Sequence, residues 1–181
     1  MNKKIKDFNF RDNLLNIKAL IFDIDGVLSK SVIIIDEEGN PIRTTCVKDG
    51  YILKYAQKQG LKVAIISGAY NESVKKRFLY LDIPEEDIIV KSIRKIIDLE
   101  YFMNKYHLKY EEILYMGDDI PDYEILSKVG FPCCPADAVQ EIKDVSIYIS
   151  KLNGGYGCVR EIIEQVLKTQ NKWLKNNPYK P

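Results

Sequence analysis

Short runs of apolar residues alternate along the chain with longer stretches whose apolar residues recur every three or four positions. The short runs predict strands, which lie over Lys18–Asp23, Lys62–Ile66, Asp87–Val90, Ile113–Met116, Phe131–Cys133 and Ser146–Ile149. The longer stretches predict helices, which lie over Asp49–Gln59, Glu72–Leu81, Arg94–Tyr106, Pro121 to about Lys128, and Gly157–Trp173. Strands that alternate with helices form βαβ units, so we expect an α/β fold with a Rossmann-like parallel sheet and helices on both faces.

A β-hairpin is expected directly after the first strand. Ser31–Ile35 and Ile42–Cys46 are β-rich segments that flank a polar centre, Glu37–Pro41, with turn chemistry. These elements fit one domain over residues 1–181, with an N-terminal arm at 1–16 and a C-terminal tail at 168–181.

Composition and charge narrow the classes of function. Hydrophobic residues make up 46% and charged residues 29% of the chain, which is ordinary for a folded globular protein. The net charge of +1 lacks the basic excess of a nucleic-acid-binding protein. No apolar run is long enough to cross a membrane, and the N-terminus has no secretory signal. We therefore expect a cytoplasmic protein without nucleic-acid or membrane partners.

Two carboxylates end the first predicted strand. Asp23 and Asp25 are separated by one residue, and Gly26 lets the chain turn so that both side chains can converge on one reacting centre. In open α/β sheets the chemistry lies at the carboxyl ends of the strands, which is where this pair falls. Taken alone, an acidic pair before a glycine is just as typical of an ordinary turn.

Further polar residues follow later elements. Ser67 and Gly68 come after the second parallel strand, where a hydroxyl and backbone N–H groups form an anion site, although a helix N-cap is the ordinary explanation. Lys95 lies in the first turn of a helix, where a solvated lysine is the ordinary explanation. Asp118 and Asp119 follow the strand at Ile113–Met116, and adjacent carboxylates favour Mg²⁺.

Four motifs follow one another along the chain: the acidic pair at Asp23 and Asp25, Ser67, Lys95, and the acidic pair at Asp118 and Asp119. In this order they resemble the haloacid dehalogenase superfamily of phosphotransferases over roughly residues 18–168. The resemblance implies that Asp23 is a nucleophile that forms an aspartyl-phosphate, and that Asp25 protonates the leaving oxygen and then activates water. It also implies that Ser67 and Lys95 hold the phosphoryl oxygens. Many members of the superfamily carry a cap domain, but the intervals from Asp25 to Ser67 and from Ser67 to Lys95 hold only the elements predicted above, so we expect no cap domain.

The same resemblance implies a Mg²⁺ cofactor. Asp118 would bind the ion together with Asp23 and the backbone carbonyl of Asp25. Asp119 and Asp122 would support the site from the outer shell.

Five segments are similar to the 3-deoxy-D-manno-octulosonate 8-phosphate phosphatases, a capless family within the superfamily. They are Asp23–Ser29, Val47–Tyr51, Gly117–Asp122, Pro135–Ala138 and Gly154–Glu161. This resemblance implies hydrolysis of a phosphorylated sugar acid for lipopolysaccharide biosynthesis. It further implies a homotetramer with shared active sites, in which the hairpin and tail of one subunit approach a neighbour's site.

Substrate contacts are implied by the same family resemblance. The implied contacts are Asp25, Cys46, Val47, Lys48, Asp49, Gly50, Lys54, Gly68, Arg77 and Lys95. Cations suit a substrate that carries a carboxylate besides its phosphate. For Lys54 and Arg77 a solvated helix face is the alternative.

Two departures from the family pattern leave the substrate open. Ala69 and Tyr156 stand where the family often has arginine, so a nine-carbon ketodeoxy sugar acid 9-phosphate is the nearest rival substrate. A non-catalytic oligomerisation module of the same fold and a phosphatase for proteins or nucleotides are further alternatives. A response-regulator receiver domain is disfavoured. Its acidic pair comes first and its lysine last, whereas in this sequence Asp118 and Asp119 follow Lys95. Trp173 in the polar tail packs either on its own domain or on another subunit.

Overall fold

Six parallel strands form the central sheet in the computed structural model, which describes residues 9–69, 72–175 and 178–179. The strands of this sheet are β1 (Ala19–Phe22), β4 (Lys62–Ile66), β5 (Ile88–Ile89), β6 (Ile113–Met116), β7 (Phe131–Cys134) and β8 (Tyr148–Ile149). Their order is β5-β4-β1-β6-β7-β8, and every pairing is parallel. The predicted α/β sheet is confirmed.

The predicted hairpin is present but short. Its strands, β2 (Ile34–Ile35) and β3 (Pro41–Ile42), pair antiparallel and form a separate two-stranded sheet. The prediction gave each strand five residues. The remaining residues stay outside the pairing because each strand of an isolated hairpin lies at a sheet edge and gains little from extending.

Helices cover both faces of the six-stranded sheet. The helices are α1 (Phe10–Asn16), α2 (Val47–Lys58), α3 (Glu72–Tyr80), α4 (Lys95–Tyr106), α5 (Tyr123–Leu126), α6 (Gln140–Val145) and α7 (Cys158–Thr169). Leu20 and Phe22 of β1 join one apolar core, under α1, α2, α3 and α7, whereas Ala19 and Ile21 join the other, under α4, α5 and α6. Successive side chains of a strand point to opposite faces, so a strand buried on both faces is apolar at every position.

Several predicted helix boundaries differ from the structure. Helix α2 begins at Val47, two residues earlier than predicted, and α6 was not predicted at all. Pro121 lies in a 3₁₀ turn over Ile120–Asp122, and α5 ends at Leu126 instead of Lys128. Part of the segment predicted as an arm is α1, whose Leu14 is fully buried, while residues 1–8 lie outside the described residues.

Helix α7 ends at Thr169, so the prediction that it continues to Trp173 was wrong. Asn171 adopts a left-handed backbone with φ of 54°, which breaks the helical path. The amides of Lys172 and Trp173 then bond to the carbonyl of Leu167, at 2.7 Å and 3.1 Å. The chain turns back across the domain after this point.

The described part of the tail packs on its own subunit. The Trp173 ring meets Tyr55 of α2 edge-on, with ring centroids 5.9 Å apart. The Tyr55 hydroxyl donates to the carbonyl of Lys175 at 2.6 Å, and the Tyr51 hydroxyl donates to that of Pro178 at 2.6 Å. Trp173 therefore contacts its own domain, which was one of the two interpretations of this residue. Residues 176–177 and 180–181 lie outside the described residues.

The described helices include none that is long and apolar enough to cross a membrane.

Candidate active site

Three carboxylates meet at the carboxyl ends of the two central strands. Asp23 directly follows β1, and Asp118 follows β6 after one intervening residue. Strands β1 and β6 are neighbours in the sheet. With Asp122 they offer carboxylate oxygens that all lie within 4.8 Å of one another. The cluster forms because neighbouring parallel strands end at the same edge of the sheet.

Gly26 allows this close approach. Its φ of +80° lies in the left-handed region, and a Cβ atom built there would lie 1.9 Å from Oδ2 of Asp118. Any other residue would be strained at this backbone conformation and would also displace the Asp118 carboxylate.

Lys95 is the first residue of α4 and lies between two of the carboxylates. Its Nζ is 2.8 Å from Oδ2 of Asp23 and 2.6 Å from Oδ1 of Asp122, and the residue is only 8% exposed. Burial opposes the charged ammonium, but the charges of Asp23 and Asp122 outweigh it and raise the pKa of Lys95. The lysine is thus a buried cation of the site and does not occupy the solvated position that is ordinary for a first-turn lysine.

Asp122 is held entirely by donors of the protein. Besides Lys95, its Oδ1 accepts a bond from the Tyr115 hydroxyl at 2.5 Å, and its Oδ2 accepts the amide of Asp118 at 3.1 Å. This geometry fits the supporting position predicted for Asp122. Tyr115 was missed because its strand, Ile113–Met116, has the pattern of an apolar core strand.

The cluster carries more negative charge than Lys95 neutralises. Burial, reinforced by the charge of Asp122 and opposed by Lys95, raises the pKa of Asp23 to about 6. Burial, with the charges of Asp23 and Asp122, raises the pKa of Asp118 to about 8. Raised carboxylate pKa values show that the charged forms are poorly compensated. Clustered carboxylate oxygens with excess negative charge fit a hard divalent cation such as Mg²⁺.

Ser67 and Gly68 lie at the end of β4, beside the cluster. The Oγ of Ser67 accepts the amide of Ala69 at 3.2 Å. Helix α3 begins only at Glu72, so Ser67 is not its N-cap. A helix N-cap therefore does not explain this serine, which instead lines the cavity that contains the carboxylate cluster.

One cavity of about 550 Å³ gathers most of the predicted site. Its lining includes Asp23, Asp25, Ser67, Gly68, Lys95, Asp118, Asp119 and Asp122. Asp119 is exposed, and its side chain accepts the amide of Ile120 at 2.8 Å, so it shapes the turn that carries Asp122.

A second cavity of about 390 Å³ lies between the hairpin, α2 and α3. Its lining includes four of the predicted substrate contacts, Cys46, Asp49, Gly50 and Arg77. Asp49 also has a structural function, because its buried carboxylate accepts the Arg160 amide of α7 at 2.7 Å. Burial raises the pKa of Asp49 to about 6.

Three predicted substrate contacts line neither of these two cavities. Val47 is 77% exposed, Lys48 is exposed, and Lys54 forms an ion pair of 3.0 Å with Asp82. Helix α2 presents only one face to the second cavity, and these residues lie on its other faces. Within this subunit the structure does not bring them to the site.

Arg43 of the hairpin contacts the site and was missed by the sequence reasoning. Its Nε is 2.7 Å from Oδ1 of Asp25 and its Nη2 is 2.8 Å from Oδ2. The Ser29 hydroxyl also donates to Oδ1 of Asp25, at 3.0 Å. In the sequence Arg43 has the appearance of an ordinary exposed hairpin residue, and no local pattern indicates a contact 18 positions away.

The two departures from the family pattern occupy defined positions. Ala69 accepts the Lys91 amide through its carbonyl at 3.2 Å, and the Tyr156 ring lies 4.8 Å from Nζ of Lys30. Neither position supplies a cation to the two cavities.

The parallel sheet carries aspartates after its two central strands and a lysine at the start of α4, and a family model of haloacid dehalogenase-like hydrolases matches residues 85–162. The chain is 32% identical to the 3-deoxy-D-manno-octulosonate 8-phosphate phosphatase of Escherichia coli K12 over 157 residues, which are 87% of this chain and 82% of the relative. The chain belongs to this family of phosphatases.

Solved structures agree with this assignment. The 3-deoxy-D-manno-octulosonate 8-phosphate phosphatase of Moraxella catarrhalis, in complex with magnesium, phosphate and KDO, matches with a TM-score of 0.85 at 32% identity, covering 90% of this chain and 92% of that one. The cobalt-bound phosphatase of Haemophilus influenzae matches with a TM-score of 0.85 at 26% identity, covering 92% and 98%. Membership confirms the predictions of a phosphoric monoester hydrolase and of Mg²⁺ as its cofactor.

Proposed function

We propose that this chain hydrolyses 3-deoxy-D-manno-octulosonate 8-phosphate to the free sugar acid and phosphate, in the cytoplasm, as a step of lipopolysaccharide biosynthesis. The observation that carries the proposal is the pairing of Asp23 with Lys95 inside the carboxylate cluster, in a chain whose relatives bear this activity in their names. A buried carboxylate beside a buried ammonium suits attack on a phosphate dianion, because the ammonium offsets the repulsion between the two anions.

The reaction would proceed in two displacements. An oxygen of Asp23 attacks phosphorus and the ester P–O bond breaks, which gives an aspartyl-phosphate while Asp25 donates a proton to the leaving sugar oxygen. Asp25 then takes a proton from water as that water attacks phosphorus, which releases phosphate and restores Asp23. Lys95, Ser67 and the amides near Gly68 hold the phosphoryl oxygens during both steps.

Asp23, Asp118 and the backbone carbonyl of Asp25 would hold Mg²⁺, which when bound supplies positive charge that draws electron density from the phosphoryl oxygens. Asp122 keeps Lys95 and the Asp118 backbone in place through the bonds at 2.6 Å and 3.1 Å. Asp122 therefore acts as a positioning residue in this scheme.

The second cavity is the proposed place of the sugar. Arg77 lies against Gly50, where an added Cβ atom would come within 2.6 Å of its Nη2, and both line this cavity. A guanidinium there matches the carboxylate of a sugar acid in charge and geometry.

We also propose the homotetramer with shared sites that the family resemblance implies. Its support is the hairpin surface, where Val32, Ile34, Ile35 and Ile42 are 80%, 65%, 60% and 52% exposed. Adjacent apolar side chains at such exposure are typical of a surface that another subunit covers. Light scattering at micromolar concentration is the test, and a monomer would contradict shared sites.

The decisive experiment measures phosphate release with Mg²⁺ and with EDTA. The substrates are the eight-carbon sugar-acid phosphate, its nine-carbon relatives, hexose phosphates and a phosphopeptide, with Asp23→Asn as the inactive control. We expect preference for the eight-carbon substrate and loss of activity with EDTA and in the variant. Preference for a nine-carbon substrate, which Ala69 and Tyr156 leave open, would keep the mechanism and change the pathway. A folded, Mg²⁺-binding protein without activity would leave the non-catalytic module.

A further inference from the structure

We propose that Arg43 selects substrates that carry a carboxylate, by exchanging its bonds to Asp25 for bonds to the substrate carboxylate. The exchange frees Asp25 to serve the leaving oxygen, so the carboxylate of the substrate is needed for turnover as well as for binding. This inference rests on the proposed function and names the residue that would enforce its substrate class.

Asp25 is fully occupied by donors of its own subunit. Its Oδ1 accepts bonds from both Arg43 and Ser29, and its Oδ2 accepts the second bond from Arg43. Both carboxylate oxygens are therefore occupied by donors of the protein, and the bidentate pair leaves neither of them free to contact the leaving oxygen of a substrate.

The third nitrogen of the Arg43 guanidinium lacks an acceptor. Nη1 of Arg43 is buried and has no hydrogen-bond partner among the described residues, and the side chain is only 9% exposed. A buried donor without an acceptor is costly, and most such donors in proteins have a partner. An incoming carboxylate would supply the missing acceptor.

Arg43 and Asp25 lie between the two cavities. Asp25 lines the catalytic cavity, while Arg43 and Arg77 line the cavity proposed for the sugar. A substrate whose phosphate lies at the carboxylate cluster would extend its other end toward Arg43. Lys95 bonds to two aspartates and Arg94 to Glu124, so the carboxylate would meet the two guanidinium groups that line this cavity, those of Arg43 and Arg77.

The hairpin that carries Arg43 is separate from the central sheet of its own subunit. Its two strands have two residues each, and Ile34 and Ile42 are 65% and 52% exposed. The ladder of this hairpin does not join the central sheet. Because the hairpin is not part of the central sheet, Arg43 can change partners through a local adjustment of the hairpin, without unfolding the domain.

The test compares the wild type with Arg43→Met, which keeps much of the side-chain bulk and removes the charge, and with Arg43→Lys. Steady-state kinetics are measured on the eight-carbon sugar-acid phosphate and on a hexose 6-phosphate, which has no carboxylate. We expect Arg43→Met to lower kcat/KM on the sugar-acid phosphate by roughly 10- to 100-fold, as the loss of a charge-assisted bond implies. We expect the same variant to raise kcat on the hexose phosphate severalfold, because Asp25 is freed.

The opposite directions separate substrate selection from a structural effect. Arg43→Lys keeps the positive charge but lacks the planar guanidinium that bonds to both carboxylate oxygens. Its kcat/KM on the sugar-acid phosphate should therefore lie between those of the wild type and Arg43→Met. Arg11→Met is the matched control, because Arg11 is an exposed arginine on α1, and its kinetics should equal those of the wild type. Equal losses on both substrates, or no change on either, would overturn the proposal for Arg43 while a wild type that prefers the sugar acid upholds the function. A wild type that ignores sugar-acid phosphates would overturn both.

Discussion

Replacement of Asp118 by asparagine should stabilise the metal-free protein at alkaline pH while it removes the stabilisation by Mg²⁺. Asp118 is partly buried next to Asp23 and Asp122, and among the described residues the ammonium of Lys95 is the one cation that compensates the three carboxylates. Asparagine has nearly the same shape and no charge. Among the described residues no side chain donates a hydrogen bond to the Asp118 carboxylate, so the substitution should remove repulsion and little else.

The size of the expected gain in stability follows from the raised pKa of Asp118. Burial and the two neighbouring carboxylates raise the pKa of Asp118 from 3.8 to about 8. Each pKa unit corresponds to about 1.36 kcal/mol, so the full shift would correspond to roughly 5 to 6 kcal/mol. Asp118 is partly exposed and solvent screens its charge, so we expect a gain of about 1 to 3 kcal/mol in the free energy of unfolding.

The contribution of Asp118 to the free energy of unfolding depends on pH. Because the folded state holds the Asp118 proton more tightly than the unfolded state, this group contributes stability below pH 3.8 that is lost as pH rises to about 8. The wild type without metal should therefore lose stability across that interval. Asp118→Asn should lose less, so the two proteins should differ most above pH 8 and little near pH 4.

The assay is urea denaturation at pH 4.5 and pH 8.5, with EDTA or with Mg²⁺, followed by the fluorescence of the single tryptophan, Trp173. Mg²⁺ at about 100 times its Kd should add about 2.7 kcal/mol to the wild type and much less to Asp118→Asn. Asp119→Asn is the control, because Asp119 is exposed and an amide can still accept the Ile120 bond. Asp118→Asn that is less stable than the wild type in EDTA at pH 8.5 would refute the reasoning.

Two further substitutions test the site and the tail. Gly26→Ala should abolish Mg²⁺ binding in calorimetry, because its Cβ would lie 1.9 Å from Oδ2 of Asp118, whereas Gly39→Ala, with φ of +84° and open space, should cost only stability. Unchanged Mg²⁺ affinity in Gly26→Ala would contradict the geometry. Trp173→Ala should lower the free energy of unfolding by about 1 to 2 kcal/mol, measured by circular dichroism in urea, since the half-buried ring packs on Tyr55. An unchanged midpoint would show that the tail does not dock in solution.

The apolar pattern was sufficient to predict the central sheet and most of its helices. Strands such as Ala19–Phe22 are buried at every position, so their sequences are continuously apolar and stand out between amphipathic helices. Helix α6, with six residues and one buried position at Ile142, has too few turns to show a period. The predicted end of α7 was wrong, because the spacing of apolar residues does not show the left-handed backbone at Asn171 or the bonds to Leu167.

The sequence by itself also determined the polar residues at the strand ends, since Asp23, Ser67 and Asp118 directly follow strands or lie one residue beyond them. Parallel strands bring such positions to one edge of the sheet whatever the details of packing. This local rule is why these residues could be predicted to lie together from one sequence.

Only the tertiary structure decided the partners of these residues. The bond between Arg43 and Asp25 and the bonds from Lys95 and Tyr115 to Asp122 join segments that the sequence does not relate. Such contacts depend on where a hairpin folds back and on how strands and helices stack, to within a fraction of an ångström. Periodicity reports which face of an element is buried, but it carries no information on which distant side chain that face meets.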